Sequence, residues 1–147
     1  MGASRDQHSV SYIQRRREIS FEFVRAFCAC ELDHLKELLS ADLSFTGPLF
    51  RSRCRADYLG SLYRDPPTPT LYKILRVFES PDGVCVLYEY GQSEQPVLVS
   101  QFNRFSGPLI SEILLVFDTS SVSRPLELRG NVARRWATNT AALVGGL

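Results

Sequence analysis

Between Leu71 and Phe117 the chain makes four strand-like runs whose connections are too short to hold a crossover helix. Strands joined this tightly pair antiparallel with their neighbours in sequence, so the second half of the chain is predicted to be a meander. The runs are Leu71 to Phe78, Val84 to Tyr90, Val97 to Phe105 and Leu109 to Phe117. Ser80-Pro81-Asp82-Gly83 and Ser106-Gly107-Pro108 close two of the connections, with proline and glycine supplying the backbone angles of tight turns.

The first half reads as helix. From Ile13 onward, Ile19, Phe23, Phe27 and Cys30 recur at helical spacing, while Arg15, Arg16, Arg17, Glu18, Glu22 and Arg25 fall largely elsewhere. Leu32, Leu35, Leu38 and Leu39 line one face of a shorter second helix, with Asp33, His34, Lys36 and Glu37 on the other. Leu43 to Thr46 alternates as a short strand that ends at Gly47-Pro48. A third helix is predicted over Arg55 to Arg64, where Tyr58, Leu59, Leu62 and Tyr63 cluster. Asp65-Pro66-Pro67 stops it, because proline disfavours helical geometry in the residue before it.

Helices first and strands afterwards predict an α+β domain, a curved antiparallel sheet wrapped around the N-terminal helices. At 147 residues one domain is expected. Residues 1–12 lack apolar periodicity and read as a flexible arm, residues 13–119 as the domain, and residues 120–147 as an extension, either helix or tail.

Composition narrows the function classes. Lys plus Arg exceed Asp plus Glu by one, leaving no positive field for nucleic acid or anionic lipid. No apolar run spans a bilayer and the opening residues do not read as a signal peptide, so a cytoplasmic protein away from the membrane is expected. Cys28, Cys30, Cys54 and Cys85 read as free thiols. A C-x-C pair on a helix points its side chains about 200° apart, which suits neither a bridge nor shared metal ligation. No metal or other cofactor is expected.

The order helix, helix, strand, helix, four strands resembles the nuclear transport factor 2-like superfamily and its SnoaL-like and ketosteroid-isomerase-like branches. The local sequence carries the same resemblance. Phe23-Val24-Arg25-Ala26-Phe27, Glu31-Leu32-Asp33-His34-Leu35 and Leu38-Leu39-Ser40-Ala41-Asp42-Leu43 look like the family's first helix, link and second helix. Gly47-Pro48 stands in the place of its Asp-Pro turn. Phe102-Asn103-Arg104-Phe105, Gly107, Ile110-Ser111-Glu112-Ile113 and Phe117-Asp118 look like its last hairpin. The resemblance implies a cone-shaped sheet around an apolar pocket and a homodimer formed through the outer face of the sheet.

Ketosteroid isomerases set an aspartate base against a tyrosine and a protonated aspartic acid that stabilise the enolate oxygen. An ungapped match puts Phe23 at the tyrosine position, Gly47 at the base and Gln101 at the protonated acid. Phenylalanine cannot donate, glycine cannot take a proton and an amide cannot titrate, so this reaction is not expected. His34 lies on the polar side of its helix and His8 in the arm, and neither suits acid–base catalysis. No catalytic residue is therefore assigned.

Strand alternation gives the pocket candidates. Val84, Val86, Tyr88 and Tyr90 share one face, and so do Val97, Val99, Gln101, Asn103 and Phe105. The amides of Gln101 and Asn103 either bind each other and Tyr88 or meet a ligand. Phe23, Phe27, Tyr58, Leu62, Tyr88, Gln101, Asn103 and Phe117 are the expected ligand-binding residues, with a small, mainly hydrophobic molecule as ligand. Two alternatives stand beside this. One is an isomerase, cyclase, dehydratase or epoxide hydrolase with Tyr88 as acid and Asp118 or another carboxylate as base. The other is a filled cone acting as a protein-interaction module.

Overall fold

The computed structural model describes residues 3–92 and 94–121. It contains α1 (Ala3–Cys28), α2 (Leu32–Leu38), β1 (Leu39–Thr46), β2 (Arg51–Ser52), α3 (Arg55–Arg64), β3 (Tyr72–Ser80), β4 (Gly83–Tyr90), β5 (Val97–Ser106), β6 (Leu109–Phe117) and a closing 3₁₀ turn, Thr119–Ser121. The extension expected over residues 120–147 lies outside the described residues from position 122 onward.

Helix α1 begins at Ala3, ahead of the expected start at Ile13, so helix runs through the described part of the stretch expected as a flexible arm. No proline or glycine follows Gly2 in this stretch, and tertiary contacts hold the helix where its own periodicity is weak. Tyr12 donates to the Gly107 carbonyl at 3.1 Å, and Arg16 donates to the Pro81 carbonyl at 3.3 Å. The Arg16 guanidinium also lies 4.3 Å from the Tyr12 ring centre and 5.3 Å from that of Phe105. Two residues thus fasten α1 to two of the sheet's hairpin turns, β3–β4 and β5–β6.

Cys30 does not extend the apolar stripe of α1. It sits past the helix end at φ 58°, in the left-handed region. Its N–H donates to Phe27 O at 3.1 Å, and the Glu31 N–H donates to Ala26 O at 2.9 Å. That pair of bonds is a Schellman termination, which satisfies the last carbonyls and turns the chain into α2. Leu39, expected on the second helix, is instead the first residue of β1, with φ −108° and ψ 140°. Helix α3 matches its expected limits and is capped by Cys54, whose Sγ accepts from the Asp57 N–H at 3.4 Å.

The six strands form one sheet in the order β2-β1-β6-β5-β4-β3. Strands β3 to β6 are the antiparallel meander, but β1 pairs parallel to β6, so the sheet is mixed rather than purely antiparallel. Between β1 and β6 the chain passes through β2, α3 and the strands β3 to β5, a connection long enough to permit that direction. Register shifts within β1/β6, β3/β4 and β5/β6 bend the strands around the helices.

The helices fill the concave side. One apolar cluster joins Ile19, Phe23, Leu35, Leu62, Phe45 and Ile113. A second joins Val24, Cys28, Val86, Tyr88, Val99 and Phe117. Phe27, Phe105 and Leu115 pack against both. All four cysteines are free, and burial pushes the Cys28 thiol up to about 12.

The convex side is partly apolar. Phe78, Cys85, Phe102 and Leu114 are successive cross-strand partners, forming a row across β3, β4, β5 and β6. Phe78 and Leu114 are exposed, as are Leu98 and Val116 on the same face. Arg104 and Glu112 pair there at 3.7 Å. Among the described residues no helix is long and apolar enough to cross a membrane.

Candidate functional site

Where β1 turns into β2, Gly47, Pro48, Leu49 and Phe50 reach over the concave face and meet side chains from α1, α3 and the sheet. The resulting cleft is lined by these four residues and by Phe23, Phe27, Phe45, Tyr58, Tyr88, Tyr90, Val99, Gln101, Leu115 and Phe117. Two aromatic groups form its walls. Phe45 stacks on Phe50 and tilts against Tyr58, both at 4.8 Å between ring centres. Phe27 lies 6.4 Å from Phe23 and 6.2 Å from Tyr90. The space left between them is about 40 Å³. A buried water needs roughly 10 to 15 Å³ on this measure, so the enclosed space holds about three waters, and a ring enters only by extending into the open mouth.

Six expected residues meet at this cleft: Phe23, Phe27, Tyr58, Tyr88, Gln101 and Phe117. Two do not. Leu62 is fully buried among Leu32, Leu35 and Leu39, because it lies one helical turn beyond Tyr58 and that turn packs against α2. Asn103 is also fully buried, two residues deeper along β5 than Gln101, and its amide faces α1. Sequence reasoning missed the Leu49–Phe50 wall. Gly47-Pro48 marked a turn, but nothing local says that a turn folds over a pocket.

The cleft has one polar end. Tyr88 donates to Gln101 Oε1 at 3.0 Å, Gln101 Nε2 donates to Asn103 Oδ1 at 3.0 Å, and Asn103 Nδ2 donates to Ser20 Oγ at 3.1 Å. The amides thus bind each other and Tyr88, and the chain of bonds ends on a buried helical serine. Burial, the dominant cause, holds the Tyr88 phenol well above its ordinary pKa, so it stays protonated.

The three positions matched to ketosteroid isomerase chemistry, Phe23, Gly47 and Gln101, converge on this one cleft. No carboxylate or imidazole is among the described lining residues. Asp118 is exposed, and its Oδ1 accepts from the Ser120 N–H at 2.9 Å. His34 lies on the helix surface, 2.8 Å from Glu22 and 3.3 Å from Glu37, and the Glu22 carboxylate is the main cause of its raised pKa. Among the described residues no group of His, Cys, Asp and Glu is arranged to hold a metal ion.

Helices packed into a curved mixed sheet, with a cleft at the open end, define a nuclear transport factor 2-like fold. Solved structures agree. A nuclear transport factor 2-like protein of unknown function from Cytophaga hutchinsonii is 19% identical, with 73% of this chain and 93% of that chain covered at a TM-score of 0.63. A SnoaL-like protein of unknown function from Burkholderia thailandensis is 15% identical, covering 71% and 95% at 0.58. A protein with a ketosteroid isomerase-like fold from Catenulispora acidiphila, solved in complex with trimethylamine, is 20% identical, covering 80% and 95% at 0.63. No protein-family model and no curated protein matches the chain.

Proposed function

We propose that this protein binds a small, mainly hydrophobic molecule in the cone and works as a homodimer paired through the outer face of the sheet. The observation that carries the reading is the composition of the cleft, with aromatic walls and one neutral polar end. Such a lining removes apolar surface from water and orients a polar group, while its described residues supply no carboxylate or imidazole base. The enzyme alternative loses its proposed base, because Asp118 is exposed and engaged with Ser120 and no carboxylate is in the described lining. The Catenulispora neighbour, crystallised with a small amine, supports a ligand of this size. The apolar row Phe78, Cys85, Phe102, Leu114 supports the dimer.

The small remaining space, about 40 Å³, favours a second reading in which the cone is essentially core and the convex face engages another protein. Mass spectrometry of the purified protein under native and denaturing conditions separates the two. A dimer carrying a small molecule that is lost on denaturation is the expected result. An empty monomer that no apolar compound stabilises thermally would overturn the binding reading and the dimer together.

A further inference from the structure

Tyr88 and Gln101 both line the cleft, and the bond between them forms part of its wall. The bonds of the buried chain all run in one sense, from Tyr88 towards Ser20. Tyr88 has one hydroxyl hydrogen and gives it to Gln101, so its oxygen keeps only acceptor capacity. Gln101 has two amide N–H groups and gives one to Asn103, which leaves a second donor beside that oxygen. Turning one amide alone would face oxygen against oxygen or N–H against N–H in a buried site. Turning both would make Ser20 the donor and free the Tyr88 hydrogen for a ketone, the arrangement that acetophenone binding as tightly as phenol would reveal.

The polar end thus presents one acceptor next to one donor, neither charged. We infer that it is a hydroxyl subsite, in which a ligand alcohol or phenol donates to Tyr88 Oη and accepts from Gln101 Nε2. A hydroxyl is the smallest group offering both capacities. A ketone or ether oxygen only accepts, so it takes the Gln101 Nε2 donor alone and leaves Tyr88 Oη without a donor. A carboxylate brings a charge with no cation among the described lining residues to offset its desolvation. The arrangement differs from that of ketosteroid isomerases, where a tyrosine and a protonated aspartic acid both donate to the substrate oxygen. The inference rests on the small-molecule reading of the cleft.

The test is calorimetric titration of the intact protein with phenol, toluene, anisole, acetophenone and benzoate, single rings that differ in the polar group. Phenol is expected to bind about tenfold to a hundredfold tighter than toluene and anisole, the value of one or two buried hydrogen bonds. Acetophenone is expected to bind more weakly than phenol, because it uses only one of the two groups, and benzoate most weakly. In Tyr88→Phe the ratio of toluene to phenol dissociation constants is expected to fall towards one. Acetophenone or anisole binding as tightly as phenol would overturn the hydroxyl subsite while leaving the pocket in place. Failure of every ring to bind would overturn the pocket reading and the subsite with it. The wild-type series decides by itself if Tyr88→Phe does not fold.

Discussion

The side-chain amide of Asn103 on β5 donates to the hydroxyl of Ser20 on α1 at 3.1 Å, with both residues fully buried. This bond ties the first helix to the middle of the sheet. Ser20→Ala leaves the Asn103 N–H without that acceptor, and an unpaired buried donor costs about 1 to 3 kcal/mol. Chemical denaturation of Ser20→Ala is expected to show that loss. A loss below 0.5 kcal/mol would mean that water or a rearranged amide replaces the serine.

Gly83 opens β4 where the backbone of β5 crosses closest. A β-carbon there would collide with the Asn103 carbonyl oxygen and stand 3.1 Å from the Phe102 ring. Backbone does not yield as a side chain does, so Gly83→Ala is expected to destabilise by about 3 kcal/mol through overpacking. A thermal melt indistinguishable from wild type would show that the hairpin opens at no cost.

Leu62 separates stability from binding. It is fully buried in the helix-side core and outside the cleft. Leu62→Ala is expected to cost about 2 to 5 kcal/mol in unfolding free energy. In the fraction that remains folded, the affinity for a single-ring ligand should be unchanged. Affinity falling with stability held would place Leu62 at the ligand after all.

The surface cluster of Glu22, Arg25, Glu31 and His34 gives a pH dependence with a definite sign. Arg25 bridges Glu22 at 2.6 Å and Glu31 at 2.7 Å, and its hydrogen bonds are the main cause of the lowered pKa of both carboxyls. The contribution of His34, raised above 6.5, is complete below that value and is lost as pH rises through its folded pKa. The contribution of Glu22, lowered below 4.5, is present above that value and is lost as pH falls through its folded pKa. The cluster therefore stabilises most between pH 4.5 and 6.5. His34→Ala is expected to lose up to about 1 kcal/mol near pH 6 and progressively less towards pH 9, the scale of a partly exposed pair. A deficit that grows with pH would reverse the assignment.

Much of the sheet was legible because its signals are local. The turns at Pro81–Gly83 and Gly107 and the alternation along β4, β5 and β6 mark both the strands and their inward faces. The same alternation placed Tyr88, Gln101 and Asn103 on one face. It could not say which of the two amides reaches the cleft, since period two repeats along the whole strand. The short β2 left no pattern, because two residues carry no period.

What the sequence determined by itself, then, was the number and order of the larger elements and the inward face of the meander. Each follows from neighbouring residues or from side-chain chemistry. Only the tertiary structure decided that β1 runs parallel to β6, that Leu49 and Phe50 close over the cleft, that Leu62 belongs to the core and that Ser20 ends the polar chain. Those depend on groups far apart in sequence coming within a few ångströms, as Ser20 and Asn103 do, and local periodicity does not encode such distances.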